Sequence, residues 1–555
     1  MTNISINEAL AIGNEEDNPL EHLISIGMQL STEKDTNVIL EHILLSAKSI
    51  SNADGGTIYS ITDDNELKFE TLLNDTLNMS LGGTTGNPIP FPTIPLYIDE
   101  QPNKKALVAL AAATNTVVNI EDAYEVKKYD MTGARNMDEK TGYRTKSVLT
   151  IPMANHEGDL NGVMQLINAQ DDEGNVISFS DEIEYLIRTL ASLAAIALTN
   201  RQLIDDMEEL FQSITRLIAK AIDEKSPYTG GHCRRVPELT LMIADAVHET
   251  KTGPLAYFEM TDKDRYELSI AGWLHDCGKI AIPEAVMDKS TKLQMLFDRI
   301  ELVDVKIEVV KRDLTIAHQE QVIAALKSGD AEQIAALNAL EKICEEKMAK
   351  LDVDREFLRI ANIGGEYMRP DAQQRVVDIG REYNIDVAGE SQQMLSEGEI
   401  YNLKIAAGTL TEEERAVINH HMDITIEMLE ALPFPKHLLN VPEYAGGHHE
   451  KMDGTGYPKG LTRDEMSVQA RLMAIADIFE ALTASDRPYK KAKKISECLF
   501  IMGKMKLGHH IDPELFDVFV DKKVYMQFAD KFLGDDQIDE IDLSKIPGYV
   551  LPAER

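Results

Sequence analysis

Histidines in this chain fall where carboxylates can join them: Gly231-His232, His275-Asp276, His420-His421 and His448-His449-Glu450, with Asp477 downstream. A lone histidine is most often a surface or packed core residue. Several grouped sets, with adjacent His-Asp and His-His pairs, are hard to explain as chance packing. Imidazole and carboxylate together suit iron, manganese, zinc or a similar divalent ion. The pair His275-Asp276 closes an apolar run, LSIAGWLHDCGKIAIP, which predicts a helix ending at a buried edge. A carboxylate buried there is costly unless a metal or partner compensates. Asp477 lies in RLMAIADIFEALTA, read as a second apolar helix carrying one carboxylate inward.

Two further segments bear on chemistry. In Asp453-Gly454-Thr455-Gly456-Tyr457-Pro458, glycine permits positive φ and proline stiffens the exit, so a shaped loop is expected beside His448-His449. Arg487, Lys490, Lys491, Lys493 and Lys494 form a basic cluster in a protein of net charge -38. That cluster reads either as a solvated helix start or as a local site for a small anion. The overall charge excludes broad binding of DNA or of anionic membranes, which needs a basic surface.

The elements that must position these residues follow from periodicity and length. A chain of 555 residues is expected to form about three domains. Residues 1–18 are expected to be a flexible N-terminus. From 19 to 200 helix and strand signals alternate: a helix over Pro19 to Ser51, then the β-rich runs GTIYSI, LKFETLL, SVLTIPMA and GVMQLINA, then a helix opening near Ser180. Over 201–222, Leu203, Met207, Leu210, Ile214, Leu217 and Ala221 recur at steps of four and three, the spacing of a short coiled-coil seam. This predicts a parallel homodimer, in preference to an amphipathic helix packed on its own domain. Residues 223–545 form the remaining domain, interrupted over about 290–405 by a Glu-, Lys-, Leu- and Ala-rich stretch. That stretch reads as an inserted helical hairpin turning at Ser328-Gly329-Asp330.

The start of the chain lacks a basic region followed by an apolar one, no apolar stretch approaches membrane-spanning length, and the four cysteines are scattered. A cytoplasmic protein without membrane insertion or disulfides is expected.

The phrase LTIPMANHEGDLNGVMQLINAQ, with the order of elements around it, resembles a GAF domain, a small-molecule sensing module. Cyclic-nucleotide-binding members carry Asn-Lys and, later, Phe and Asp-Glu. Here Asn168 precedes Ala169, and Phe179 stands two residues before Asp181-Glu182. The resemblance thus implies the α+β fold and an unknown small ligand, or a purely dimerising sensor, more than a nucleotide.

TGGHCRRV, LHDCGKI, INHHMDITIEML, HHEKMDGTGYPKGL and ADIFEALTASDRPYK together resemble the bacterial HD-GYP phosphodiesterases. The implied architecture is multidomain: an N-terminal GAF domain with an antiparallel sheet and helices, a connecting long helix, and an all-α HD-GYP domain with a helical insertion. The implied activity is hydrolysis of cyclic di-GMP to the linear dinucleotide or GMP, with 3′,3′-cyclic GMP-AMP or signalling by protein contact as alternatives. The resemblance implies that His232, His275, Asp276 and Asp477 hold one ion. Asp276 would bridge to a second held by His421 and His448, with His449 at or beside it. His421 is preferred to His420 because it precedes Thr425 by four residues, where relatives have a small residue. Members with a third metal carry Glu where this chain has Tyr228, so two ions, iron or manganese, are expected. Lys279 is expected to contact the scissile phosphate, Arg487 and Lys490 the other phosphate, and Tyr457 to stack a base or anchor its loop. The loop itself is implied to contact diguanylate cyclase domains.

Overall fold

Asp35 starts a long helix, because its side chain accepts the Asn37 N–H and so caps α1 (Thr36–Ser51). In the computed structural model, which describes residues 26–28, 33, 35–155, 157–225, 231–329, 331–364, 367–485 and 492–551, the helix expected over Pro19 to Ser51 is thus interrupted at Asp35. Ile26–Met28 form a separate helical piece, and residues 1–18 lie outside those described. Left-handed Asn52 then turns the chain into the sheet.

The chain divides into two compact units, Met1–Leu210 and Phe211–Arg555. In the first, β1 (Ala53–Ile61), β2 (Glu66–Asn74), β3 (Met79–Gly82), β4 (Val118–Ile120), β5 (Val148–Ala154) and β6 (Leu160–Gln170) pair antiparallel in the order β3-β2-β1-β6-β5-β4. The register sets Met164 opposite both Ile58 and Ile151. Because alternate strand residues share a face, Leu149, Ile151, Met153, Met164 and Leu166 join Ile39, Ile43 and Leu44 of α1 in one core. Helices α2 (Leu107–Thr114) and α3 (Thr132–Thr141) lie in the long connection between β3 and β5.

A single helix of 45 residues, α4 (Asp181–Lys225), leaves this sheet. Ile187, Leu190, Ala191, Ala194 and Ala195 belong to the core just described, whereas Ala219 and Ile222 belong to the core of the second unit. Between them Leu203, Met207, Leu210, Ile214 and Leu217 are 46–70% exposed. Among the described residues no helix is long and apolar enough to cross a membrane. The cysteines are all unpaired.

The second unit is helical around one core. α5 (His232–His248), α6 (Asp262–Leu274) and a later helix, Val468–Thr483, contribute Val236, Ile243, Leu268, Leu274, Leu472 and Phe479. Phe479 meets Phe519 and Phe528 edge-on, with centroids 5.1 and 5.8 Å away. The insertion is more than a hairpin. α7 (Ile300–Ser328), ended by Gly329 at φ 69°, and α8 (Leu337–Asn362) are followed by α9 (Pro370–Glu382) and the strands β7 (Asn384–Val387) and β8 (Glu390–Gln393). α10 (Glu397–Leu403) closes it. Val303, Ile307, Leu351, Leu358, Val376, Ile379 and Leu403 give this segment a core of its own. The β-turn uses Ala388 and Gly389, both at positive φ, the geometry that fits strand twist in a two-residue hairpin. After the insertion come α11 (Glu412–Asn419), α12 (His421–Glu430), α13 (Val441–Gly446) and the helix above, α14 (Val468–Thr483).

Candidate metal centre

His275 continues the helical path of α6 by one residue, and Asp276 then turns the chain into a short 3-10 turn, Cys277–Ala281. Gly278 in that turn lets α12 approach. A Cβ there would stand 2.0 Å from the carbonyl oxygen of His421, so no side chain fits. The Gly278 N–H donates instead to Thr425 Oγ1 at 2.9 Å. This contact seats the start of α12 on the turn, with His421 Nε2 3.3 Å from Asp276 Oδ1. A similar close approach places His448. Side chains at Gly446 and Gly447 would strike Ile426 and Ala470, so α13 lies tight against α12 and α14.

Three histidines are aimed by the same device. Nδ1 of His275, His421 and His448 lies 2.6–2.7 Å from the carbonyl three residues earlier, on Gly272, Ile418 and Ala445. A carbonyl only accepts, so Nδ1 carries a hydrogen, and Nε2 is the nitrogen turned away from that carbonyl. His232, at the start of α5, is oriented differently: its Nδ1 lies 2.5 Å from Glu480 Oε2. Its Nε2 faces Asp276 Oδ2 at 3.2 Å and Asp477 Oδ1 at 3.4 Å.

Asp276 thus stands between two groups. Oδ2 is 3.2 Å from both His232 Nε2 and His275 Nε2, and Oδ1 is 3.3 and 4.0 Å from His421 and His448. The sets His232, His275, Asp276 and Asp276, His421, His448, His449 each hold their ligand atoms within 4.8 Å of one another. Asp276 Oδ1 and His421 Nε2 are buried without a hydrogen-bond partner among the described residues. Buried polar atoms left without hydrogen bonds are unfavourable unless a cation lies with them, so the residues present fit divalent metal ions.

Electrostatics sort the side chains. Burial would raise the Asp276 carboxyl, but Lys279, His275 and His232 hold it well below the usual range. Burial, aided by His275, lowers His448 to about 4, and burial with His448 and His421 lowers His449. Both are therefore neutral imidazoles at pH 7. Burial lowers His232 too, yet the Glu480 carboxylate and Asp276 prevail and raise it to about 10. Glu480 falls to about 2, since His232 and Arg235 outweigh its burial.

The structure brings together His232, His275, Asp276, His421, His448, His449 and Asp477, the last 3.9 Å from His275. His420 points elsewhere, exposed and 2.9 Å from Asp423. Lys279 Nζ sits 2.6 Å from Asp276 Oδ2, and burial notwithstanding, Asp276 and Asp477 keep it charged. The Tyr457 ring stacks on His449 at 4.8 Å. Its loop has Gly454 at φ 77°, while a side chain at Gly456 would strike the backbone of Glu450 and Lys451. Glu450 accepts the N–H groups of Lys459, Gly460 and Leu461 and so fastens the loop. Tyr228, Arg487 and Lys490 lie outside the described residues.

One reading needs correction: α14 carries two carboxylates inward, Asp477 and Glu480, instead of one. Glu480 is 1% exposed and also takes Arg235 Nε at 2.6 Å. The signal was present, since Asp477/Glu480 and His232/Arg235 are both three apart and share helix faces.

Comparison with known proteins agrees in outline. The GAF domain family model matches residues 35–198 and the HD domain model residues 393–515. A 3′3′-cGAMP-specific phosphodiesterase of Vibrio cholerae is 44% identical over 110 residues, 20% of this chain and 23% of that protein. A cyclic di-GMP phosphodiesterase of Pseudomonas aeruginosa is 37% identical over 113 residues, 20% and 26% of the two chains. One from Thermotoga maritima is 26% identical over 238 residues, 39% and 62% of the two chains. The chain spans about a quarter of the length of the first two. It combines a GAF domain with an HD domain related to those of the HD-GYP cyclic di-GMP and cyclic GMP-AMP phosphodiesterases.

Proposed function

We propose that the second unit hydrolyses a cyclic dinucleotide, cyclic di-GMP in the first instance, at a pair of iron or manganese ions, under control of the GAF unit. The observation that carries this is the position of Asp276, one carboxylate with an oxygen toward each of two histidine groups. His232, His275, Asp276 and Asp477 would hold one ion; Asp276, His421, His448 and His449 would hold the other. Such a pair supplies water activated near neutral pH and neutralises phosphate oxygens.

The protein's own part is orientation and charge. Backbone carbonyls fix the imidazoles, Glu480 fixes His232, and Lys279 brings a cation to the same carboxylate, where we assign it a phosphate oxygen of the substrate. Tyr457 we assign to anchoring the loop, because its ring is already stacked on His449. Arg487 and Lys490 are assigned to the second phosphate on sequence grounds, and the Asp453–Pro458 loop to contact with a diguanylate cyclase domain. The exposed seam of α4 supports a homodimer. A preference for 3′,3′-cyclic GMP-AMP is the second reading, favoured by the 44% identical relative.

Hydrolysis of both compounds with Mn(II), or Fe(II) under anaerobic conditions, in wild type and Asp276→Ala tests this. Turnover that vanishes in the variant supports the enzyme, and the ratio of the two rates names the substrate. Absence of turnover with metal bound would move the assignment to signalling by contact.

A further inference from the structure

The last turn of α4 is bonded to both chain segments that meet at the first histidine group. Asp223 accepts the Gly231 N–H at 3.1 Å through Oδ2 and the Cys233 N–H at 3.5 Å through Oδ1, flanking His232 at the start of α5. Two residues on, Lys225 donates to the carbonyls of Lys279 at 3.3 Å, Ile282 at 2.7 Å, and Ile280. These carbonyls belong to the turn that follows His275-Asp276. All three donors of the ammonium are thereby used. Ala219 and Ile222 fix the same stretch of helix in the core.

His232 Nε2 and Asp276 Oδ2 are 3.2 Å apart, yet they come from segments 44 residues apart in sequence. What α4 adds is a common anchor: the segment bearing His232 is tied to Asp223, and the segment bearing Asp276 to Lys225. We infer that Asp223 and Lys225 are positioning residues that set the spacing of His232 against Asp276 and hence the affinity of the first ion site. The inference rests on the metal-centre reading above. It makes the end of a helix that starts at Asp181 a determinant of metal binding, although neither side chain is itself a ligand.

The test is titration of the metal-free full chain with Co(II), following its visible absorption, in wild type, Lys225→Met, Lys225→Arg and Asp223→Ala. The melting temperature of each metal-free protein is measured alongside. Lys225→Met and Asp223→Ala are expected to weaken Co(II) binding by about 10-fold or more and to shift the absorption bands. Their metal-free melting temperatures should stay within about 3 °C of wild type. Lys225→Arg, which keeps the donors, should recover most of the affinity. Unchanged affinity and spectrum in both disruptive variants would overturn the inference while leaving the metal centre standing. So would a loss of affinity that merely tracks lost stability; if Lys225→Met does not fold, Lys225→Gln gives the same comparison. A wild type that binds no Co(II) would instead overturn the metal centre, and the inference with it.

Discussion

Asp276 Oδ1 and His421 Nε2 lie 3.3 Å apart, buried, and have no hydrogen-bond partner among the described residues. The neighbouring His420 is exposed and already engaged with Asp423. Adjacent histidines are thus separated in role by which side of the α11–α12 joint each occupies. His421→Ala should remove one of two bound Mn(II) ions per chain and lower turnover at least about 100-fold. His420→Ala should leave both quantities within about threefold of wild type. Metal analysis of the two purified variants decides the matter, and equal losses in both would refute the assignment.

Glu480 holds His232 through Nδ1 and also binds Arg235. Replacing it with glutamine keeps the shape but removes the charge that both partners face. Loss of such an outer partner commonly costs 10–100-fold in metal affinity. Glu480→Gln should therefore weaken Mn(II) binding by about that factor, measured by calorimetric titration. An affinity equal to wild type would show that His232 needs no carboxylate behind it.

These cases show what the sequence could and could not disclose. The clustering of His232, His275, Asp276, His421, His448 and His449 was legible because histidine and aspartate are conspicuous in apolar runs, and the helix end at His275 follows from the run that it closes. Glu480 was missed although it stands three residues after Asp477 on the same helix face, because what it pairs with, His232 and Arg235, comes from a segment 245 or more residues away. Strands β7 and β8 were hidden in a Glu- and Lys-rich stretch, where Ala388-Gly389 is a weak turn signal. The interruption at Asp35 depended on a single capping bond to the Asn37 N–H.

Gly278 should prove intolerant of any side chain. Its Cβ would overlap the His421 carbonyl and crowd the Thr425 nitrogen, both backbone atoms unable to step aside cheaply. Gly278→Ala is expected to destabilise the second unit by about 1–3 kcal/mol. It should also weaken metal binding by separating Asp276 from His421. Gly398→Ala, in α10 with open space around it, is the matched control and should stabilise by up to about 1 kcal/mol. Urea midpoints of both variants provide the measurement; equal midpoints would contradict the packing argument.

Lys292 is buried in the insertion, with Leu403 O at 3.1 Å and Met368 Sδ at 3.5 Å as its partners. Burial lowers its pKa to about 8. Below that value the ammonium is charged in folded and unfolded chains alike, and the folded state bears the full desolvation cost. Between about 8 and the ordinary lysine value, the unfolded chain binds more protons, so stability rises with pH. Relative to Lys292→Met, wild type should gain about 2 kcal/mol on going from pH 7 to pH 10. Parallel stability profiles of the two proteins across that range would exclude a depressed lysine.

The seam on α4 leads to a prediction about assembly. Leu203, Met207, Leu210, Ile214 and Leu217 follow steps of four and three and remain 46–70% exposed, although other apolar residues of the same helix are buried at either end. An apolar stripe with this period matches a copy of itself, because each side chain then fills a gap between side chains of the facing helix. Met207→Glu with Leu210→Glu puts like charges opposite one another in a parallel pair. The wild type is expected to sediment as a dimer at micromolar concentration and the double variant as a monomer, with metal content unchanged because both positions are remote in sequence from the ligands. Analytical ultracentrifugation reads this directly. A wild-type monomer, or a double variant that remains dimeric, would show that this face does not join two copies.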